Sequence, residues 1–252
     1  MAMKLTGNTI FITGGGSGIG RGLAEALHQG GNQVIISGRR KGHLQQVVDA
    51  NPGMASFELD ITDPASIAAV AKELLVQYPA LNVLINNAGI MRVDDMSSVL
   101  DETVLTSTIE TNLYGPMRMT SALIEHLKQQ PGATVINVSS GLAFVPLAMT
   151  AVYSATKAAL HSYTLSLRYK LKDTRVKVLE LAPPYVQTDL LNGADDPRAM
   201  PLAEFIAETM QVLGTEAEEV LVERVKMLRN NPGPNEGAFV TRMNDMMAAS
   251  SH

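Results

Sequence analysis

Thr9-Ile10-Phe11-Ile12-Thr13-Gly14-Gly15-Gly16-Ser17-Gly18-Ile19-Gly20 sets a short apolar run, a glycine cluster and the start of a helical pattern back to back. The run Thr9–Thr13 reads as a strand covered on both faces, because it is Ile- and Phe-rich and does not alternate with charge. Glycines directly after such a strand let the backbone turn tightly and approach a pyrophosphate, which sits at the positive N-terminus of the next helix. The spacing is T-G-x-x-x-G-x-G at Thr13, Gly14, Gly18 and Gly20, not the strict G-x-G-x-x-G. A ligand-free turn or a methyltransferase loop carries similar glycines; the place between first strand and first helix favours a nucleotide.

Outward from that stretch the same alternation repeats. Gln33–Ser37, Ala55–Leu59, Asn82–Ile85, Thr134–Val138 and Val176–Leu181 read as five more strands. Between them, helical periods run over Ile19–Gln29, His43–Ala50, Pro64–Gln77, Val99–Thr111, Met117–Gln129 and Tyr153–Leu171. Strand–helix–strand repetition requires crossovers, hence an α/β, doubly wound Rossmann fold: a mostly parallel sheet of six to seven strands with helices on both faces. No linker or charge block divides residues 1–252, so one domain is expected. Residues 184–215 form a substrate-loop and lid region over the carboxyl edge of the sheet, where such folds bind ligands. Two further helices are expected at Pro201–Leu213 and Glu216–Asn230, a loop over Asn231–Glu236, and a last short strand at Gly237–Thr241.

Composition narrows the function. Of 252 residues, 46% are hydrophobic and 18% charged, which excludes a disordered chain. The absence of cysteine excludes disulfide scaffolds, thiolate zinc sites and cysteine nucleophiles. A net charge of −5 argues against nucleic acid or an anionic membrane surface as partner. No apolar run approaches the roughly 18 residues of a membrane span, and glycines cut off any signal-peptide core after Lys4. A soluble, cytoplasmic protein is the expectation. The histidines show no paired spacing for a metal, and Met243 reads as core or interface filler.

At the end of the second strand stands Ser37-Gly38-Arg39-Arg40-Lys41, with no acidic residue from Asn32 to Gln46. An acid about 20 residues after the glycines would bind the ribose hydroxyls of NAD; a guanidinium instead grips a 2′-phosphate with two parallel hydrogen bonds. Three cations in a row also occur as a plain solvated turn. With the glycine loop upstream, NADP(H) is preferred over NAD(H), with Arg39 as first contact and Arg40 as second; NAD(H) use stays open.

Tyr153-Ser154-Ala155-Thr156-Lys157 opens the longest helix, and residues four apart share a helix face. Of the six tyrosines only Tyr153 has lysine at that spacing. Ser140 ends the fifth strand, 13 residues earlier, at the carboxyl edge. A phenol near pKa 10 becomes a workable acid–base group when an adjacent ammonium favours its anion, and Ser140 can hydrogen-bond a carbonyl oxygen that gains charge.

With these motifs in order, the sequence resembles the short-chain dehydrogenase/reductase family, in its single-domain form near 250 residues. The resemblance spans about residues 5–190 and rests on Thr13–Gly20, Asp60, Asn86-Asn87-Ala88-Gly89, Asn112, Ser140, Tyr153/Lys157 and Pro183. It implies that Tyr153 is the general acid/base, that Lys157 lowers its pKa and binds the nicotinamide ribose, and that Ser140 orients the carbonyl. It implies further that Asn112 holds a proton-relaying water, and that Asp60 and Ile61 touch adenine. The implied cofactor cleft takes Gly14, Ser17, Gly18, Ile19, Gly20, Asn86, Ala88, Gly89, Tyr153, Lys157, Pro183 and Val186, with Thr188 at the carboxamide. Singly, Asp60 reads as a turn residue and Asn112 as a helix cap.

The chain departs from the family pattern after the sixth strand. Leu179-Glu180-Leu181-Ala182-Pro183-Pro184 puts Leu179 for the usual asparagine and Pro184 for the usual glycine. This form resembles the bacterial Dlt-type branch. Leu142, Phe144, Val145, Met149, Tyr185, Leu190, Leu191 and Met200 are the expected walls of the substrate pocket, nearly all apolar. They imply a hydrophobic ketone, aldehyde or secondary alcohol. A cofactor-sensing binding protein without turnover is the alternative, against which the intact Ser140/Tyr153/Lys157 set stands. Arg198 reads as part of a lid tip. The family habit implies a homodimer or homotetramer joined through the long helices.

Overall fold

Six of the apolar runs form parallel strands: β1 (Thr9–Thr13), β2 (Gln33–Gly38), β3 (Ala55–Glu58), β4 (Leu81–Asn86), β5 (Thr134–Val138) and β6 (Lys177–Leu181). The structure is a computed structural model, and it describes residues 3–190, 196–230 and 235–249. A seventh parallel strand, β7 (Glu219–Val220), completes one sheet in the order β3-β2-β1-β4-β5-β6-β7. The order reverses between β1 and β4, and the crevice beyond their carboxyl ends is where a doubly wound sheet takes a ligand.

Both faces are covered, which explains strands that are apolar throughout. On one face Ile10, Ile12, Ile36, Val83 and Ile85 pack with Leu23 and Leu27 of α1 (Gly18–Gln29), Val47 of α2 (Lys41–Ala50) and Phe205 of α7 (Leu202–Leu213). On the other, Phe11, Ile35, Leu84 and Val135 pack with Ile67 and Leu74 of α3 (Pro64–Gln77), and with Met119 and Leu123 of α5 (Gly115–Leu127). Pro64 stands in the first turn of α3 behind the Asp63 cap, whose carboxylate accepts from the Ala65 amide at 2.9 Å.

Three expectations are corrected. The break expected between two helices near residue 112 is a single wide turn. From α4 (Glu102–Ile109) the chain runs through a π-helical segment, Glu110–Tyr114, straight into α5. Pro116 lacks an amide proton and Gly115 donates five residues back to Glu110, so the ladder widens rather than ends. Gly115 also lies against Ile61, where a Cβ would stand 2.7 Å from Cγ1. The expected helix Glu216–Asn230 is split into β7 and a short α8 (Glu223–Arg229), because Glu219 and Val220 find β6 unpaired at the sheet edge. Gly237–Thr241, expected as a strand, lies inside α9 (Glu236–Ala249). Phe239, Val240 and Met243, at helical spacing, pack on Phe144, Val145 and Ala182. Most of the expected loop Asn231–Glu236 lies outside the described residues. Among the described residues, no helix is long and apolar enough to cross a membrane.

The long helix α6 (Ala151–Leu171) begins at a cap donated by a distant loop. Asp94 accepts from the Ala151 and Val152 amides at 3.0 and 2.9 Å, and its own amide donates to Met149. A carboxylate there satisfies two orphan donors and complements the positive helix end. Asp94→Ala should lower unfolding free energy by about 1–2 kcal/mol, read as a lower urea midpoint at unchanged slope; an unmoved midpoint would mean that the loop does not anchor α6.

Candidate active site

At the carboxyl ends of β1, β4 and β5 the chain builds a cleft of about 950 Å³. Its floor at the β1 end is the glycine loop. Gly14 has φ +69° and Gly18 φ +52°, both in the left-handed region that favours glycine. A Cβ on Gly14 would stand 2.9 Å from Ala88 Cα, so the loop lies directly on the chain leaving β4. Thr13 and Asn87 clasp the two: Thr13 Oγ1 accepts from the Asn87 and Ala88 amides at 3.0 and 3.1 Å, and Asn87 Nδ2 donates to the carbonyls of Thr13 and Gly14. Gly14, Ser17, Gly18, Ile19, Gly20, Ala88 and Gly89 line the cleft as expected. Arg39 and Arg40 line it at the end of β2, with Arg40 Nη2 donating to Ser17 Oγ at 3.3 Å.

At the other end, β5 delivers Ser139 and Ser140. The Ser139 amide donates to Leu181 and the Gly141 amide to Pro183, both at 2.8 Å, which ties the turn to the end of β6. Ser140, Tyr153 and Lys157 meet on the cleft wall, Tyr153 and Lys157 one turn apart on α6 and both buried. Lys157 Nζ donates to the Val138 carbonyl at 2.8 Å and lies 5.5 Å from the centre of the Tyr153 ring.

Burial governs both groups. It pushes the Tyr153 phenol up to about 12, with the Ser140 hydroxyl pulling the other way, and it brings the Lys157 ammonium down to about 8, opposed by the field of Glu180. In the protein without ligand, loss of water is the larger influence on the phenol and the Ser140 hydrogen bond the smaller. At neutral pH both groups carry their protons.

Asn112 is in the π-helical turn; its Oδ1 accepts from the Ile90 amide, and its Nδ2 donates to the Ile90 carbonyl and Thr156 Oγ1. The side chain braces the loop after β4 against α6, directly behind Gly89 of the cleft wall and near Lys157. Asn86 is not on the cleft wall. Its Nδ2 donates to Thr120 Oγ1 and Asn137 Oδ1, both at 2.9 Å, inside the core; Asn87 takes the cleft position. Asp60 turns onto Thr62, whose amide and hydroxyl hold its carboxyl below the usual range, while Leu59 and Ile61 line the cleft.

Pro183, Tyr185, Val186, Thr188 and Leu190 line the cleft, as do Leu142 and Met149. Phe144 and Val145 do not. Phe144 is buried behind the Ser140 turn, edge-on to His161 and under the Arg229 guanidinium. Met200 is fully buried, because its backbone bridges Val186 and its side chain joins the core. Leu191 lies outside the described residues. Arg198 is held by Asp196, which also accepts from the Tyr185 hydroxyl. Sequence reasoning missed Ile90, Met91, Val93 and Leu147 as walls, and Leu228 and Met243 from the C-terminal helices; Met243, expected as core or interface filler, packs on the Phe144 cluster and lines the cleft as well.

A glycine-floored crevice at the strand-order reversal, joined to a buried serine–tyrosine–lysine set, defines a dinucleotide-binding oxidoreductase of the Rossmann type. The chain belongs to the short chain dehydrogenase family, whose model matches residues 8–199. It is 39% identical over 248 residues to an uncharacterized oxidoreductase, DltE, of Bacillus subtilis, covering 96% of this chain and 98% of that one. Among solved structures, a short chain dehydrogenase from Burkholderia cenocepacia in complex with NADP superposes with a TM-score of 0.84 at 28% identity, over 95% of this chain and 98% of that one. A 3-ketoacyl-(acyl-carrier-protein) reductase from Brucella melitensis complexed with NADH gives 0.76 at 28% identity, over 84% and 93%.

The lysine shift has a stability consequence. Between about pH 8 and the ordinary 10.5 the unfolded chain binds a proton at Lys157 that the folded chain does not, so stability rises with pH across that window. Urea unfolding of wild type against Lys157→Met should show a difference in stability that changes in the wild type's favour from about pH 8 to about pH 10. A pH-independent difference would place an unshifted lysine there.

Proposed function

We propose that the protein is an NADP(H)-dependent carbonyl reductase or alcohol dehydrogenase acting on a hydrophobic ketone, aldehyde or secondary alcohol. The observation that carries this reading is that Ser140, Tyr153 and Lys157 share one cleft with the glycine loop and with Arg39 and Arg40. The cleft fits the dinucleotide: Gly14 and Gly18 keep the loop open where side chains would intrude, and two cations lie at the β2 end. The NADP-bound Burkholderia relative supports the same cofactor.

Gly14, Ser17, Gly18 and Ile19 would hold the pyrophosphate at the start of α1, Arg39 and Arg40 a 2′-phosphate, Leu59 and Ile61 the adenine, and Lys157 and Thr188 the nicotinamide end. When bound, the cofactor gives a hydride to a carbonyl carbon or takes one from an alcohol. Tyr153, protonated at neutral pH, holds the proton that the carbonyl oxygen takes, and Ser140 donates a hydrogen bond to the same oxygen. The Lys157 ammonium stabilises the phenolate that remains. Leu142, Leu147, Met149, Leu228 and Met243 give the substrate end an apolar wall, which suits an aryl or alkyl carbonyl. Exposed Leu165 and Tyr169 on α6 support a homodimer or homotetramer joined through the long helices.

Nicotinamide fluorescence, in a chain without tryptophan, tests both halves. NADPH should bind at least about tenfold tighter than NADH, about 1.4 kcal/mol, and the loaded protein should reduce aryl ketones faster than charged 3-keto acids. Equal affinities would reduce Arg39 and Arg40 to a solvated turn, and reduction of the charged acids alone would overturn the apolar substrate class.

A further inference from the structure

Behind the Ser140 turn the sheet carries a row of polar residues in register: Asn86 of β4, Asn137 of β5, Glu180 of β6 and Glu219 of β7. Asn137 Nδ2 donates to Thr164 Oγ1 of α6 at 2.9 Å. Glu180 has no exposed side-chain surface, yet it is an acid. One carboxylate oxygen accepts from the Ser139 hydroxyl, and the other lies 2.7 Å from His161 Nδ1. His161 follows Lys157 by one turn, so α6 presents Tyr153, Lys157 and His161 along one face, the first pair to the cleft and the third to Glu180.

Burying a carboxylate is unfavourable unless charge and hydrogen bonds compensate it. Around Glu180 stand Ser139 from the end of β5, Lys157 and His161 from α6, Glu219 from β7 and Arg229 from α8, with Arg168 of α6 acting on Glu219 beyond. Arg229 takes both oxygens of Glu219 at 2.8 and 2.9 Å. The donor atoms of His161, Glu180 and Glu219 lie within 4.8 Å of one another, but with that guanidinium engaged the group is an ion-pair network rather than a cation site. Around Lys157 stand the Tyr153 phenol, the Asn112 amide beyond Gly89, and the negative charge of Glu180.

We propose that Glu180 is a positioning residue for the site: its carboxylate pins Ser139, and through it the Ser140 turn, against His161 of α6, and it is the counter-charge of the buried Lys157 ammonium. The first part follows from the two bonds, which tie the end of β5 to the helix that carries Tyr153 and Lys157. The second follows from placement: Lys157 Nζ donates to the carbonyl of Val138, the next residue Ser139 donates to Glu180, and His161, one turn after Lys157, meets the same carboxylate. Glu180 is thus the acid that the fold brings up to a lysine bonded only to a neutral carbonyl. The site then keeps Lys157 charged at neutral pH although water is excluded from it. This inference rests on the proposed catalytic reading, but its test does not need turnover.

Lys157 is titrated in the ligand-free protein by NMR of lysine labelled with ¹³C at Cε, its signal assigned by its loss in Lys157→Met. Glu180→Gln removes the charge and keeps an oxygen for the Ser139 hydroxyl. In that variant the Lys157 titration should fall by about one pH unit or more, as loss of a nearby opposite charge requires. An unchanged titration in the folded variant overturns the proposal. If Glu180→Gln does not fold, Ser139→Ala/Glu180→Met removes the Ser139 hydroxyl together with the acid, leaves only the partly exposed His161 to find water, and is read by the same signal with the same two outcomes. A Lys157 titration that moves in a protein inactive toward all carbonyls would uphold the charge coupling and overturn only the catalytic reading.

Discussion

Lys157 brings an ammonium group to a place that water hardly reaches, and much of the site's construction serves to keep it there. Its hydrogen bond goes to the carbonyl of Val138, the last residue of β5. Its helix is started by Asp94 and braced by Asn112 through Thr156. Each contact joins a different element to α6, so the placing of Tyr153 and Lys157 is set by β5, the Asp94 loop and the π-helical turn together rather than by any one of them. Dehydration that raises the phenol and lowers the ammonium also strengthens every hydrogen bond made to a substrate oxygen there.

The two halves of the cleft are built differently. The dinucleotide end consists of strand ends and the start of α1, clasped by Thr13 and Asn87, with little freedom to vary. The substrate end is assembled from late segments, with Tyr185 and Leu190 before α7, Leu228 in α8 and Met243 in α9. Asn244 fastens α9 to the segment before α6, accepting from the Ala148 amide and donating to the Pro146 carbonyl. The match to the family model ends at residue 199, and Leu228 and Met243, which shape the substrate end, lie beyond it.

Most of the sheet was legible because strands buried on both faces are written as Ile and Val runs, and crossovers leave few arrangements. The catalytic triplet was legible because its spacing is local: one helical turn and one strand end. What was not legible depended on distant partners. Two-residue β7 carries no pattern of its own and exists because β6 offers an edge. Gly237–Thr241 has strand-like residues, but tertiary packing of Phe239, Val240 and Met243 makes it helical. Asn86 and Asn87 are equivalent as neighbours in sequence; the strand's alternation sends the first into the core and the second to the glycine loop. Phe144 and Met200 are as hydrophobic as the true walls, and hydrophobicity alone does not tell a pocket lining from the core beneath it. Asp94, Leu228 and Glu180 act on residues far away in the chain.

The most direct measurement is a single turnover of NADPH-loaded protein mixed with an aryl ketone, in wild type and in Tyr153→Phe. NADPH affinity should be unchanged, because the phenol oxygen is not part of the glycine-loop cradle. The rate of cofactor oxidation should fall at least about a hundredfold, as loss of a general acid requires. Tyr153→Phe turning over at the wild-type rate would contradict the reading of this buried phenol as the proton donor.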